Sequence, residues 1–122
     1  MNGFIEIQLG GEVKGLKFAN YALEQYTKLT GVDIGTIKEV GDDYSQLEMT
    51  ADIIFCGLVG NARSKGEVLT ITKEDVLRMM DDVSYTDQLR VIKEFMNSVV
   101  SLTNEMLNAL KAISGEDTEK KK

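Results

Sequence analysis

The stretch GLKFANYALEQYTKLTG, residues 15–31, joins the end of a strand to a short amphipathic helix and a glycine stop. Phe18, Ala22, Tyr26 and Leu29 recur every three to four residues, which predicts one apolar stripe on a helix over 19–30. Gly31 stands where a helix takes its left-handed closing residue. Upstream, Phe4 to Leu9 alternates: Ile5, Ile7 and Leu9 face one way, Glu6 and Gln8 the other. Gly10-Gly11 is a two-residue turn signal, and Glu12 to Phe18 is the return strand. Gly15 interrupts the alternation of that strand and predicts a bulge. A two-stranded hairpin is not stable alone, so it must pack on helices or pair with another chain.

Downstream, residues 32–44 are glycine- and acid-rich and read as a loop, with a short helical turn around 34–40. Gln46 to Ser64 predicts a second helix bearing Leu47, Ile54, Phe55, Leu58 and Val59, with small residues at Ala51 and Ala62. A helix this apolar belongs at the centre of a fold. Lys65-Gly66 ends it, and Leu69 and Ile71 form an extended lead-in to Thr72-Lys-Glu-Asp75, a capping-box start. The third helix carries Val76, Leu77, Met79, Met80 and Val83, and Ser84 to Asp87 repeats the cap pattern. The last helix is predicted over 85–113, on Tyr85, Leu89, Ile92, Met96, Val99, Leu102, Met106, Leu110 and Ile113. Its length of roughly 40 Å exceeds what a domain this small needs, so part of it overhangs or breaks, with Ser101 and Thr103-Asn104 the weakest point. The expected fold class is α+β: mainly helical, with an N-terminal β-hairpin packed on three to four helices and a long C-terminal helix. Residues 1–113 form one domain, and 114–122 form a disordered charged tail. Phe18, Leu23, Tyr26, Ile54, Phe55, Leu58, Leu77 and Ile92 are the expected core.

Chemistry is scarce. The 122 residues include no histidine and one cysteine, which removes the commonest general base and any ordinary zinc site within one chain. Gly10 to Lys17 resembles a phosphate loop faintly, but Leu16 stands where that loop needs lysine. Asp42-Asp43 and Asp81-Asp82 lack the spaced ligands of a calcium loop and read as solvated acids. Cys56, between Phe55 and Gly57, reads as a small buried hydrophobe. No catalytic, cofactor or metal site is expected, and the chain is expected not to be an enzyme. The net charge of −6, with basic residues clustered only at Lys120 to Lys122, argues against nucleic-acid binding. No run is long enough for a membrane span, and the start shows no signal peptide. A lone cysteine fits a reducing cytoplasm.

The order of the pieces resembles the tail assembly chaperones of long-tailed bacteriophages. A hairpin with Leu16 and Phe18 leads to a helix with Ala22-Leu23 and ends at Thr30-Gly31. An apolar helix follows with Gly57-Leu58, and then a helix start at Ile71-Thr72-Lys73-Glu74-Asp75-Val76 with an acidic end at Asp81-Asp82. The resemblance covers most of residues 4–96. It implies a non-enzymatic protein of the bacterial host cytoplasm, absent from the mature virion. Such a protein binds the long, helix-rich tape measure protein and keeps it soluble while tail tube subunits polymerise around it. It further implies a longer −1 frameshift product that recruits the tail tube protein. Lysine codons are A-rich, so Lys120 to Lys122 are the trace expected of a slippery sequence; a solvated basic tail is the other reading.

The chain has six methionines. Methionine fills core gaps, and on helices it also suits adaptable grooves for apolar partners. Met96, Met106, Leu107 and Leu110 are the candidate partner contacts, because the last helix there outruns the other elements. The open hairpin edges and this stripe predict homo-oligomers. The alternative function is a small virion structural or head–tail joining protein, or an oligomeric scaffold.

Overall fold

The computed structural model describes residues 3–31 and 46–114. Strands β1 (Phe4–Leu9) and β2 (Glu12–Lys17) pair antiparallel, with Leu9 opposite Glu12 and Phe4 opposite Lys17. Gly10 and Gly11 make the turn at φ +63° and +83°, a backbone that side chains with a Cβ rarely adopt. Helices α1 (Asn20–Thr30), α2 (Gln46–Ser64) and α3 (Lys73–Met79) follow. A 3₁₀ turn, Met80–Asp82, leads to α4 (Tyr85–Ser114). This is the expected α+β layout, mainly helical, with the hairpin first and a long helix last. The predicted turn around 34–40 and Asp42-Asp43 lie outside the described residues, as does the tail predicted over 114–122 except for Ser114, which ends α4.

The predicted bulge is absent. The register runs unbroken, and Gly15 lies opposite Glu6. The missing side chain instead leaves room for the Phe4 ring and the Asn61 amide, each about 3 Å from where a Cβ would sit. Gly31 closes α1 as expected, donating its N–H to the Thr27 carbonyl at 2.8 Å.

Helix α2 is central: Ala51, Ile53, Ile54, Cys56 and Leu58 are buried against the hairpin, α1, α3 and α4. Gly57 and Gly60 form its contact face toward β2 and α1, packed against Leu16, Phe18, Ala22 and the Lys17 carbonyl. The core also takes in Ile7, Leu9, Leu16, Phe18, Leu23, Tyr26, Val76, Val91, Phe95 and Val99. Three predicted core residues, Phe55, Leu77 and Ile92, pack at its margin and are only partly buried. Leu29 and Leu47, read as apolar face residues, are exposed, because each sits near a helix end that no other described element covers.

One buried charge ties the layers together. Asp52 of α2 is 2% exposed and meets the Lys73 ammonium of α3 at 2.8 Å. The hydrogen bond to Asp52 chiefly raises the Lys73 pKa; burial opposes the rise, and the charges of Asp52, Glu48 and Glu74 reinforce it. A raised lysine pKa gives stability that is fully present below the unfolded value of ~10.4. That stability is lost as pH rises through the higher folded value. Lys73→Met is therefore expected to cost about 2 kcal/mol at neutral pH, below the ~3–5 of a fully buried pair because water reaches the ammonium. Urea titrations at pH 7 and above pH 11 check this: the gap between wild type and variant should shrink at the higher pH.

Candidate functional site

Helix α4 is built to be anchored at one end and bare at the other. Thirty residues at 1.5 Å each give about 45 Å. Its start is fixed by Ser84, whose Oγ accepts the Asp87 N–H at 3.0 Å. The Gln88 amide donates to the Val83 carbonyl, and Arg90 bridges from Asp87 at 2.7 Å to the Glu6 carbonyl on the outer edge of β1. The face toward the domain carries Val91, Phe95, Ser98 and Val99, with Leu102 at its end. Phe95 meets the Tyr26 ring at 4.9 Å and the Phe18 ring edge-on at 5.7 Å.

The helix neither breaks nor bends out of helical structure at Ser101 to Asn104. It overhangs instead. From Asn104 to Ile113 every residue is exposed, roughly 15 Å of helix. The stripe read from sequence crosses between two faces. Tyr85 and Leu89 are exposed, Ile92 and Met96 are half-buried, and Val99 and Leu102 fall on the core line that Val91 and Phe95 begin. Helix α4 is thus apolar on two adjoining faces, and periodicity alone does not say which one the domain takes.

The structure brings three of the four candidate contacts together on the overhang: Met106, Leu107 and Leu110, at 55%, 52% and 59% exposed. Met96 is not among them; it packs partly against the core, earlier on the same side of the helix. Leu89, Val100 and Ile113 belong to the exposed set; Leu89 and Ile113 stood in the predicted stripe but not among the candidate contacts, and Val100 was not read at all.

Among the described residues little else is equipped for chemistry. Among the described residues no cluster of three histidine, cysteine or carboxylate side chains is placed to hold a metal. Cys56 is fully buried, and burial first, then the Asp52 charge, push its thiol up to about 12 against a smaller opposing effect of Lys73. It is a neutral thiol and not a nucleophile. A shallow groove of about 190 Å³ beside α4 is lined by Gly3, Phe18, Asn20, Ser98, Ser101 and Glu105, without paired acid and base. No helix among the described residues is long and apolar enough to cross a membrane. Comparison with protein-family models, curated proteins and solved structures returns no match.

Proposed function

We propose that this chain is a non-enzymatic assembly chaperone of a long-tailed phage. In this reading it works in the host cytoplasm, binding the tape measure protein through the overhanging end of α4. The observation that carries the proposal is the overhang: Met106, Leu107, Leu110 and Ile113 stay exposed on the free end of a helix whose first half is anchored firmly. Exposed apolar clusters of this kind mark interaction sites. Long unbranched and branched side chains side by side suit a partner that offers many similar apolar helices in turn. The order of hairpin, helix, apolar glycine-bearing helix and capped helix supports the same reading. A −1 frameshift product extending past Lys122 would add the contact to tail tube protein. Co-expression with the tape measure protein is expected to keep that protein in the soluble fraction, and purified virions are expected to lack this chain. Equal precipitation with and without the chain contradicts the proposal. Recovery of the chain in stoichiometric amount from virions would favour a structural or head–tail joining role.

A further inference from the structure

Helix α1 starts with its amides open. Its cap residue, Ala19, holds extended backbone at φ −114° and ψ −168° but offers no side-chain hydrogen bond, and the first turn carries no acid. No hydrogen bond among the described residues takes up the N–H groups of Asn20, Tyr21 and Ala22. Such a start carries partial positive charge and favours an anion.

A separate observation, on another helix, points to the same place. Ser98 of α4 is nine-tenths buried, and its hydroxyl has no hydrogen-bond partner among the described residues. Ser98 lines the groove of about 190 Å³ that Ala19 and Asn20 line from α1. Its oxygen stands beside Gly3, 3.0 Å from where a Cβ on that glycine would be. A buried hydroxyl left unpaired is costly, and an acceptor oxygen in the groove relieves it.

The surrounding charge selects the acceptor. Lys17 and Arg63 border the start of α1 on its other side, in a hollow shared with Ala19, Tyr21 and Ala22. Neither is ion-paired among the described residues, and Arg63 is held over the Tyr21 ring at 4.1 Å. Their field and the helix start favour a negative ligand. Donors on two sides suit the two oxygens of a carboxylate. A phosphate dianion needs a cation in the groove itself, and the charged side chain there is the exposed Glu105.

We infer that this groove is a carboxylate site: one oxygen accepts from the amides of α1, the other from the Ser98 hydroxyl. The groove is shallow and sits where α4 leaves the domain, since Ser98 and Leu102 precede the bare stretch from Asn104. The ligand is an aspartate or glutamate side chain of the polypeptide bound on the overhang, presented at high local concentration by that attachment. The source of the acid rests on the proposed partner binding, whereas the site does not.

Titration of the full chain with sodium acetate, followed by its backbone amide resonances, tests the site. Asn20, Tyr21 and Ala22 should shift along a saturating curve with acetate and not with sodium chloride at equal ionic strength. Inorganic phosphate should bind more weakly than acetate. Ser98→Ala should weaken acetate binding ~3–10-fold with no loss of thermal stability, because the hydroxyl has no protein partner to lose. Ala19→Asp places a carboxylate on the α1 amides from within. It should abolish the acetate shifts and raise the midpoint of thermal unfolding by ~3–8 °C. Absent or unsaturable shifts, equal shifts with chloride, tighter binding of phosphate, or an unchanged curve in Ser98→Ala would overturn the site. With the tape measure protein co-expressed, Ala19→Asp should lower its soluble fraction relative to the parent chain; an equal fraction would overturn the polypeptide source. Insolubility already with the parent chain would instead count against the proposed function and leave the acetate result intact.

Discussion

Phe95→Ala should cost ~3–5 kcal/mol of folding stability, among the largest effects available in this chain. Phe95 is fully buried, and its ring joins Phe18 from the end of the hairpin to Tyr26 from α1. Removing it opens a cavity at the meeting point of three elements and cuts the main attachment of α4. Phe55, the ring that sequence reading favours for this place, lies at the core margin, and Phe55→Ala should cost clearly less. Chemical denaturation of the two variants side by side decides the point. Equal losses, or a larger loss for Phe55, would mean that α4 packs on the domain by a different face.

Gly60→Ala is the second large effect, and it runs against helix propensity. Alanine in a helix interior is worth ~1 kcal/mol over glycine. At this position its Cβ would stand 2.4 Å from the Lys17 carbonyl oxygen and 3.0 Å from the Ala22 methyl. The carbonyl is backbone at the end of β2, so it cannot swing aside as a side chain does. Overpacking of this kind costs ~1–3 kcal/mol, occasionally more. The expected outcome is a net loss of about 2 kcal/mol despite the better helix former, read from the denaturation midpoint. A gain in stability would show that β2 and α2 are not in contact at Gly60.

Much of the fold was legible because local rules and tertiary packing agree. Gly10-Gly11, Gly31, Thr72 with Asp75, and Ser84 each mark an element boundary by backbone chemistry that needs no partner. The unread parts are those that only packing decides. Gly15 looks like a bulge in a single strand and becomes a socket for Phe4 once the second strand is present. Gly57 and Gly60 cannot be seen as a contact face until β2 and α1 lie on them. The two apolar lines of α4 are equivalent in periodicity. The ring of Phe95 fits between Phe18 and Tyr26, so the domain takes that line and leaves the other outside. The overhang itself was foreseeable from length alone, and with it Met106, Leu107 and Leu110.

The overhanging end of α4 as the proposed working surface is tested most directly by the double variant Met106→Asp/Leu110→Asp. Its effect on a co-expressed tape measure protein is compared with that of the unmodified chain. Both sites are more than half exposed, so the variant should fold, with the far-ultraviolet spectrum of the parent. The tape measure protein should be soluble with the parent chain and should pellet with the variant. A folded variant that keeps the tape measure protein in solution as well as the parent does would contradict this expectation.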